Sequence, residues 1–120
     1  MPSMSVLPWH CRVTHASPAK YTINPDDCTI VPTNAGPKGT SWVVQLPDTD
    51  SPDPPASGDF YLVNDAAGLV NVFHHLVVQA GPTYTIEGLA SVAFRDPFSW
   101  AAFQFDARNR KWVVFQGKVA

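Results

Sequence analysis

The sequence predicts an all-β protein, an antiparallel β-sandwich of about eight or nine short strands with an extended N-terminal arm. Three observations predict it. Short runs of β-branched and aromatic residues recur along the chain. Each run stops at a cluster of Gly, Pro, Asn or Asp. No stretch sustains a helical period.

The arm, residues 1–19, comes first. Pro2, Pro8 and Pro18 interrupt it, so it reads as extended chain rather than helix. It carries Trp9, His10, Cys11, Arg12 and His15, and apolar residues on such an arm are expected to dock on its own domain or on a neighbour. Residues 20–120 read as a single β-sandwich domain. Tyr21 to Ile23 is its first short strand, Asn24 to Asp27 a turn, and Cys28 to Val31 the second strand. Pro32 to Thr40 is a loop built on Asn34, Gly36, Pro37 and Gly39. In the strand Ser41 to Leu46, Trp42, Val44 and Leu46 share one face, and Ser41, Val43 and Gln45 the other.

Pro47 to Gly58, with Asp48, Asp50, Asp53 and four prolines, reads as a solvated, polyproline-like loop. Its prolines favour extension over the turn that a calcium site needs. The stretch Gly58 to Gly88 organises the rest. Phe60–Val63, Leu69–Val78 and Tyr84–Ile86 read as a three-stranded meander. Asp65 to Gly68 is the first turn, with Asp to accept a bond from the turn's own backbone and Gly to tolerate positive φ. Ser91 to Phe94 continues as strand until Arg95, Asp96 and Pro97 interrupt it. Trp100 to Phe105, a polar turn from Asp106 to Lys111, and Trp112 to Phe115 complete the set.

Hydrophobic residues make up 45% of the chain and charged residues only 15%. Either much surface is buried, or part of the outside is covered by a partner. A net charge of −2 gives no electrostatic drive toward nucleic acid or an anionic membrane. No apolar run reaches membrane-spanning length, and the first residues lack the basic start and apolar centre of a signal peptide. Without a secretion signal, Cys11 and Cys28 are expected as two reduced thiols.

Few residues invite a chemical role. His74 and His75, adjacent on a strand, point to opposite faces and cannot share one metal. His10, Cys11, His15 and Cys28 have the ligand types of a zinc set, but their spacing matches no familiar module. Cys11 lacks a well-placed base, and Ser91 and Ser99 lack a nucleophile elbow. Asp65, Glu87 and Asp96 could supply paired acids, yet Asp65 and Asp96 sit in turn contexts that explain them. Trp9, Trp42, Trp100 and Trp112 are many for this length and read as core or sheet-packing residues, with a carbohydrate-binding sandwich as the alternative. The expectation is a protein that is not an enzyme and holds no cofactor or metal. Arg108, Arg110 and Lys111 make a basic C-terminal end, either a solvated hairpin tip or a patch for an acidic protein surface.

The ordered signals from Tyr21 to Phe115 resemble a small β-sandwich module of tailed-bacteriophage virion proteins. The resemblance runs through Tyr21-Thr22-Ile23 with Asp27, Thr29-Ile30-Val31, and a strand closing on Leu46-Pro47. It continues through Gly58, Tyr61, Val63, Asp65 and Gly68, then Val77, Gly81, Ile86 and Gly88, and ends at Trp112 and Val114. Departures are the acidic proline loop, His74-His75 and Pro97. The resemblance implies a structural virion protein, first a capsid decoration (cement) protein. Such a protein is made in the host cytoplasm and sits on the outer capsid surface. It binds the major capsid protein there, often as a homotrimer, with no nucleic acid or membrane partner. A tail- or fibre-associated module that binds a host receptor or glycan is the alternative. The contact surfaces expected for the decoration protein are Val6, Leu7 and Trp9 on the arm and Arg108, Arg110 and Lys111 at the basic end, and the alternative would touch glycan through exposed aromatics.

Overall fold

The computed structural model describes residues 12–24, 26–51 and 54–118. Ten strands form, in the order β1 (Arg12–Ala16), β2 (Lys20–Thr22), β3 (Asp27–Pro32), β4 (Trp42–Gln45), β5 (Phe60–Asn64), β6 (Leu76–Gln79), β7 (Thr85–Ile86), β8 (Ser91–Phe94), β9 (Ser99–Asp106) and β10 (Lys111–Lys118). They make a six-stranded sheet, β1-β3-β5-β9-β10-β7, and a four-stranded sheet, β2-β4-β6-β8. The all-β expectation holds, and the two sheets pack over one core. Among the described residues the strand count is ten against the expected eight or nine, and the pairing is mixed rather than antiparallel.

The mixed pairing follows from how the chain winds. From β1 to β8 each strand lies in the opposite sheet from the one before it. β1, β3 and β5 therefore run parallel, as do β2, β4 and β6. Parallel neighbours need a return path, usually a helix. Here a strand of the facing sheet is that return. Antiparallel pairing appears where β8 joins β6, β9 joins β5, and the β9–β10 hairpin forms. The three central runs are accordingly no meander. β5 and β7 belong to one sheet and β6 to the other.

Alternation places the core where the sequence put it in β4. Trp42, Val44 and Leu46 are buried, and they meet Leu76 and Val78 of β6. From the larger sheet, Ile30, Tyr61, Val63, Phe103, Phe105 and Trp112 join the same cluster. The Phe105 ring lies 5.1 Å from Trp112 and 4.8 Å from Tyr84, within the range of favourable aromatic pairs.

Two elements depart from expectation. The run Leu69 to Val78 is a strand only at Leu76–Gln79. The Asn71 carboxamide oxygen accepts the Phe73 and His74 N–H groups at 2.8 and 3.1 Å, which folds residues 71–74 into a tight turn. Val72 and Phe73 are exposed there, so apolar composition did not mean burial. In the acidic proline loop, Asp48 is buried rather than solvated. Its carboxylate accepts the Thr49 N–H and hydroxyl through Oδ1 and the Thr83 N–H through Oδ2.

Candidate docking surface

In a sheet that buries one face, every second residue points outward. In β9 the core takes Ala101, Phe103 and Phe105, which leaves Trp100, Ala102 and Gln104 outside. In β10 it takes Trp112 and packs Val114, which leaves Val113, Phe115 and Gly117. In β5 it takes Tyr61 and Val63, which leaves Phe60, Leu62 and Asn64.

Register aligns these residues into rows. Val13, Thr29, Leu62, Ala102 and Phe115 lie side by side across five strands. Phe60, Gln104 and Val113 form the next row. On the other side of the long row, Asn64, Trp100 and Gly117 are aligned. A Cβ at Gly117 would come within 2.8 Å of Trp100 Cζ2, so the indole lies close against a backbone that only glycine leaves bare.

These three rows contain no Asp, Glu, Lys or Arg. Phe60, Phe115 and Val13 are 52%, 50% and 57% exposed. Ala102, buried at 5% exposure, lies between Leu62 and Phe115 in the register. Charge is confined to the rim. Arg12 pairs with Asp27 at 2.8 Å at one corner, and Lys111 pairs with Glu87 at 2.9 Å near the β9–β10 hairpin. A contiguous apolar surface inside a polar rim has the anatomy of a protein contact. No ion in these rows would be stripped of water on docking, which removes the main penalty against burial.

The basic end lies beside this face. Residues 107–110 form the exposed tip of the β9–β10 hairpin, which carries Arg108 and Arg110. The Asp106 carboxylate shapes it by accepting the Asn109 N–H and side-chain amide at 3.2 and 2.7 Å. The Arg110 guanidinium stands 5.4 Å from the Tyr84 ring, and Lys111 is engaged by Glu87. The other expected contact residues, Val6, Leu7 and Trp9, lie outside the described residues.

The groups that invited chemistry have structural partners. Asp65 accepts the Leu69, Val70 and Phe98 N–H groups. Asp27 takes Arg12, Thr14 and Tyr21 side chains and the Asn24 N–H. His74 Nδ1 lies 3.0 Å from the Thr40 carbonyl oxygen, and its ring meets Trp42 edge-on. His75 Nε2 lies 3.2 Å from the Val72 carbonyl oxygen. Among the described residues, no group of three or more His, Cys, Asp or Glu is placed to hold a metal ion.

Cys28 corrects the thiol expectation, because it is disulfide-bonded. The sequence holds one other cysteine, Cys11, which directly precedes β1 and lies outside the described residues. Arg12 pairs with Asp27 but Val13 pairs with Thr29, so Cys28 is the extra residue of a β-bulge. The parallel β1–β3 pairing behind this arrangement is a long-range feature that the spacing of two cysteines does not reveal.

No protein-family model matches the sequence, and no curated protein does. The class that fold and surface define is a two-sheet, all-β protein with an uncharged apolar face.

Proposed function

We propose that this chain is a structural docking protein that attaches to a larger protein surface through the outer face of its six-stranded sheet. The form we propose is an accessory decoration protein of a tailed-phage head. It would sit on the outer shell, bind the major capsid protein as a homotrimer and bridge capsid subunits. The docking reading is carried by one observation, the uncharged rows around Phe60, Leu62, Ala102 and Phe115. They give a place to the low charge share of the whole sequence. The virion part rests on the resemblance of Tyr21 to Phe115. Two further facts support the reading. Of the three acids that could have paired, Asp65 is occupied by three backbone donors and Glu87 by Lys111, which gives each a structural role. A disulfide at Cys28 suits a protein that works outside a reducing cytosol. Several weak contacts per particle would add through effective concentration.

The test is the copy number of the protein in purified particles, by quantitative mass spectrometry against the major capsid protein, for the natural chain and for Phe115→Glu. The expected result is a copy number comparable to that of the capsid subunit, lost in a Phe115→Glu variant that still folds. A handful of copies per particle moves the protein to the tail or fibre. Absence from particles overturns the virion reading.

A further inference from the structure

The four-stranded sheet presents its outer face on the opposite side of the sandwich, and that face holds a cleft of about 580 Å³. The volume lies within the range of small-ligand sites. Its floor is one row in register, Thr22, Gln45, Gln79 and Ser91, with one residue from each strand. Each of these side chains is uncharged and can both donate and accept. The two amides are held in place. Gln79 Nε2 donates to Gln45 Oε1 at 2.7 Å, and Gln45 Nε2 donates to the Leu46 carbonyl at 3.0 Å. This fixes their orientation and leaves Gln79 Oε1 and one N–H of each amide for a ligand.

The rim is equally set. Buried Asp48 ties its own loop to Thr83, and Gly81 approaches so closely that an added Cβ would fall 2.1 Å from Asp48 Oδ2. The Asp48 oxygens are thereby occupied. The lining carries one positive charge, Lys20, against the carboxylates of Asp48 and Asp50.

We infer that this cleft binds a neutral saccharide. A floor of four donor–acceptor groups disfavours an apolar ligand, which would leave them unpaired. The excess of negative charge repels a phosphate, and with the Asp48 oxygens engaged by Thr49 and Thr83 no cluster of free ligand groups is left among the described residues for a metal cation. What fits is an uncharged ligand with several hydroxyls along its length, whose C–H faces can rest on Ala80, Pro82 and Ala90 at the wall. The site lies on the opposite face from the docking surface and does not depend on it.

The test is an amide NMR titration of the intact protein with glucose, galactose, N-acetylglucosamine and lactose at tens of millimolar. The expected result is shifts confined to Thr22, Gln45, Gln79, Ser91 and the rim for at least one sugar. Gln79→Ala should weaken that binding about tenfold, the loss of one oriented amide. Ser91→Tyr, which fills the cleft from an exposed edge position, should abolish it, and Phe115→Glu should leave it unchanged. No shift with any of the four sugars overturns the inference. So do shifts that fall outside the cleft, or binding that survives both cleft substitutions.

Discussion

The Asp65 carboxylate accepts the N–H of Phe98, 33 residues further on, at 3.0 Å. The Phe98 ring in turn lies over Gly68, where a Cβ would come within 2.5 Å of it. Phe98 holds φ at +62°, a conformation that bulky residues rarely adopt, and the bond to Asp65 secures it there. The same carboxylate accepts Leu69 and Val70 N–H groups at 2.9 Å each. One wholly buried side chain thus joins the end of β5 to the entry of β9.

Asp65→Ala leaves those three N–H groups without their acceptor inside the protein. The expected loss of stability is at least about 3 kcal/mol. Asp65→Asn retains one oxygen and should lose less. Urea unfolding at unchanged m-value measures both. A loss below about 1 kcal/mol for the alanine variant would show that water replaces the carboxylate there.

Acid should unfold this protein through two other carboxylates. Burial alone would push the Asp27 carboxyl up, but bonds from Thr14, Tyr21, the Asn24 N–H and Arg12 together hold it below the usual carboxylate range. Asp48 follows the same pattern, with burial opposed by bonds from Thr83 and Thr49. A carboxylate with a lowered folded pKa contributes stability that is fully present above its unfolded value, and loses it as pH falls through the folded value. The melting temperature should therefore be flat above about pH 5 and fall below about pH 4. Asp27→Asn should flatten part of that fall. An acid limb identical in Asp27→Asn and the natural chain would remove Asp27 from the account.

Cys28 is disulfide-bonded, and the sequence holds one other cysteine, Cys11, so the loop a bond between them would close is short. Loop-closure entropy for a loop of this size stabilises by about 3 kcal/mol. Reduction, or Cys28→Ser, should lower the melting temperature with the sheet core retained. The loss should show first as faster amide exchange in Arg12–Ala16, the edge strand beside the bulge. Equal melting with and without reductant would mean the bond adds nothing to the folded state.

Much of the fold was legible where one rule decides the outcome. Strict alternation in Ser41 to Leu46 placed Trp42, Val44 and Leu46 inside, and Ser91 to Phe94 is a strand with those bounds. The turn at Asp65 and Gly68 is also there, with Gly68 at φ +72°. Alternation says which residues share a face but not which sheet a strand joins, so the parallel winding stayed hidden. It also fails where a side chain captures the backbone, as Asn71 does inside an apolar run. The buried Asp48 was read as solvated because its acceptors serve Thr83, 35 residues away. The uncharged face left one sequence signal, a charged share of 15%. Placing it required knowing that Leu62 and Phe115 flank Ala102 in a single sheet.

Glu87 guards an open sheet edge, and its removal gives the sharpest test of how this protein avoids uncontrolled self-association. β7 pairs with β10 only at Lys111 and Trp112. It stops there because Glu87 and Gly88, at φ +51° and +88°, form a two-residue turn that closes on Ile86 and Leu89. Among the described residues no strand covers β10 beyond Trp112 on that side. The Glu87 carboxylate stands beside that edge, paired with Lys111 at 2.9 Å, and its pKa is held down first by that bond, with a smaller contribution from the Val114 N–H. An exposed edge with free N–H groups invites a further strand, and an engaged charge blocks it. Glu87→Asn separates the two roles of this residue. Asparagine tolerates positive φ, so the turn is kept, but its side chain is uncharged and one methylene too short to engage Lys111. The variant should fold with nearly unchanged stability and self-associate as its concentration rises, seen as a growing sedimentation coefficient. Introducing Lys at Gln116, on the same edge, should restore the sedimentation behaviour of the natural chain. A Glu87→Asn variant that sediments like the natural chain at every concentration would show that the β10 edge is closed by something other than this carboxylate.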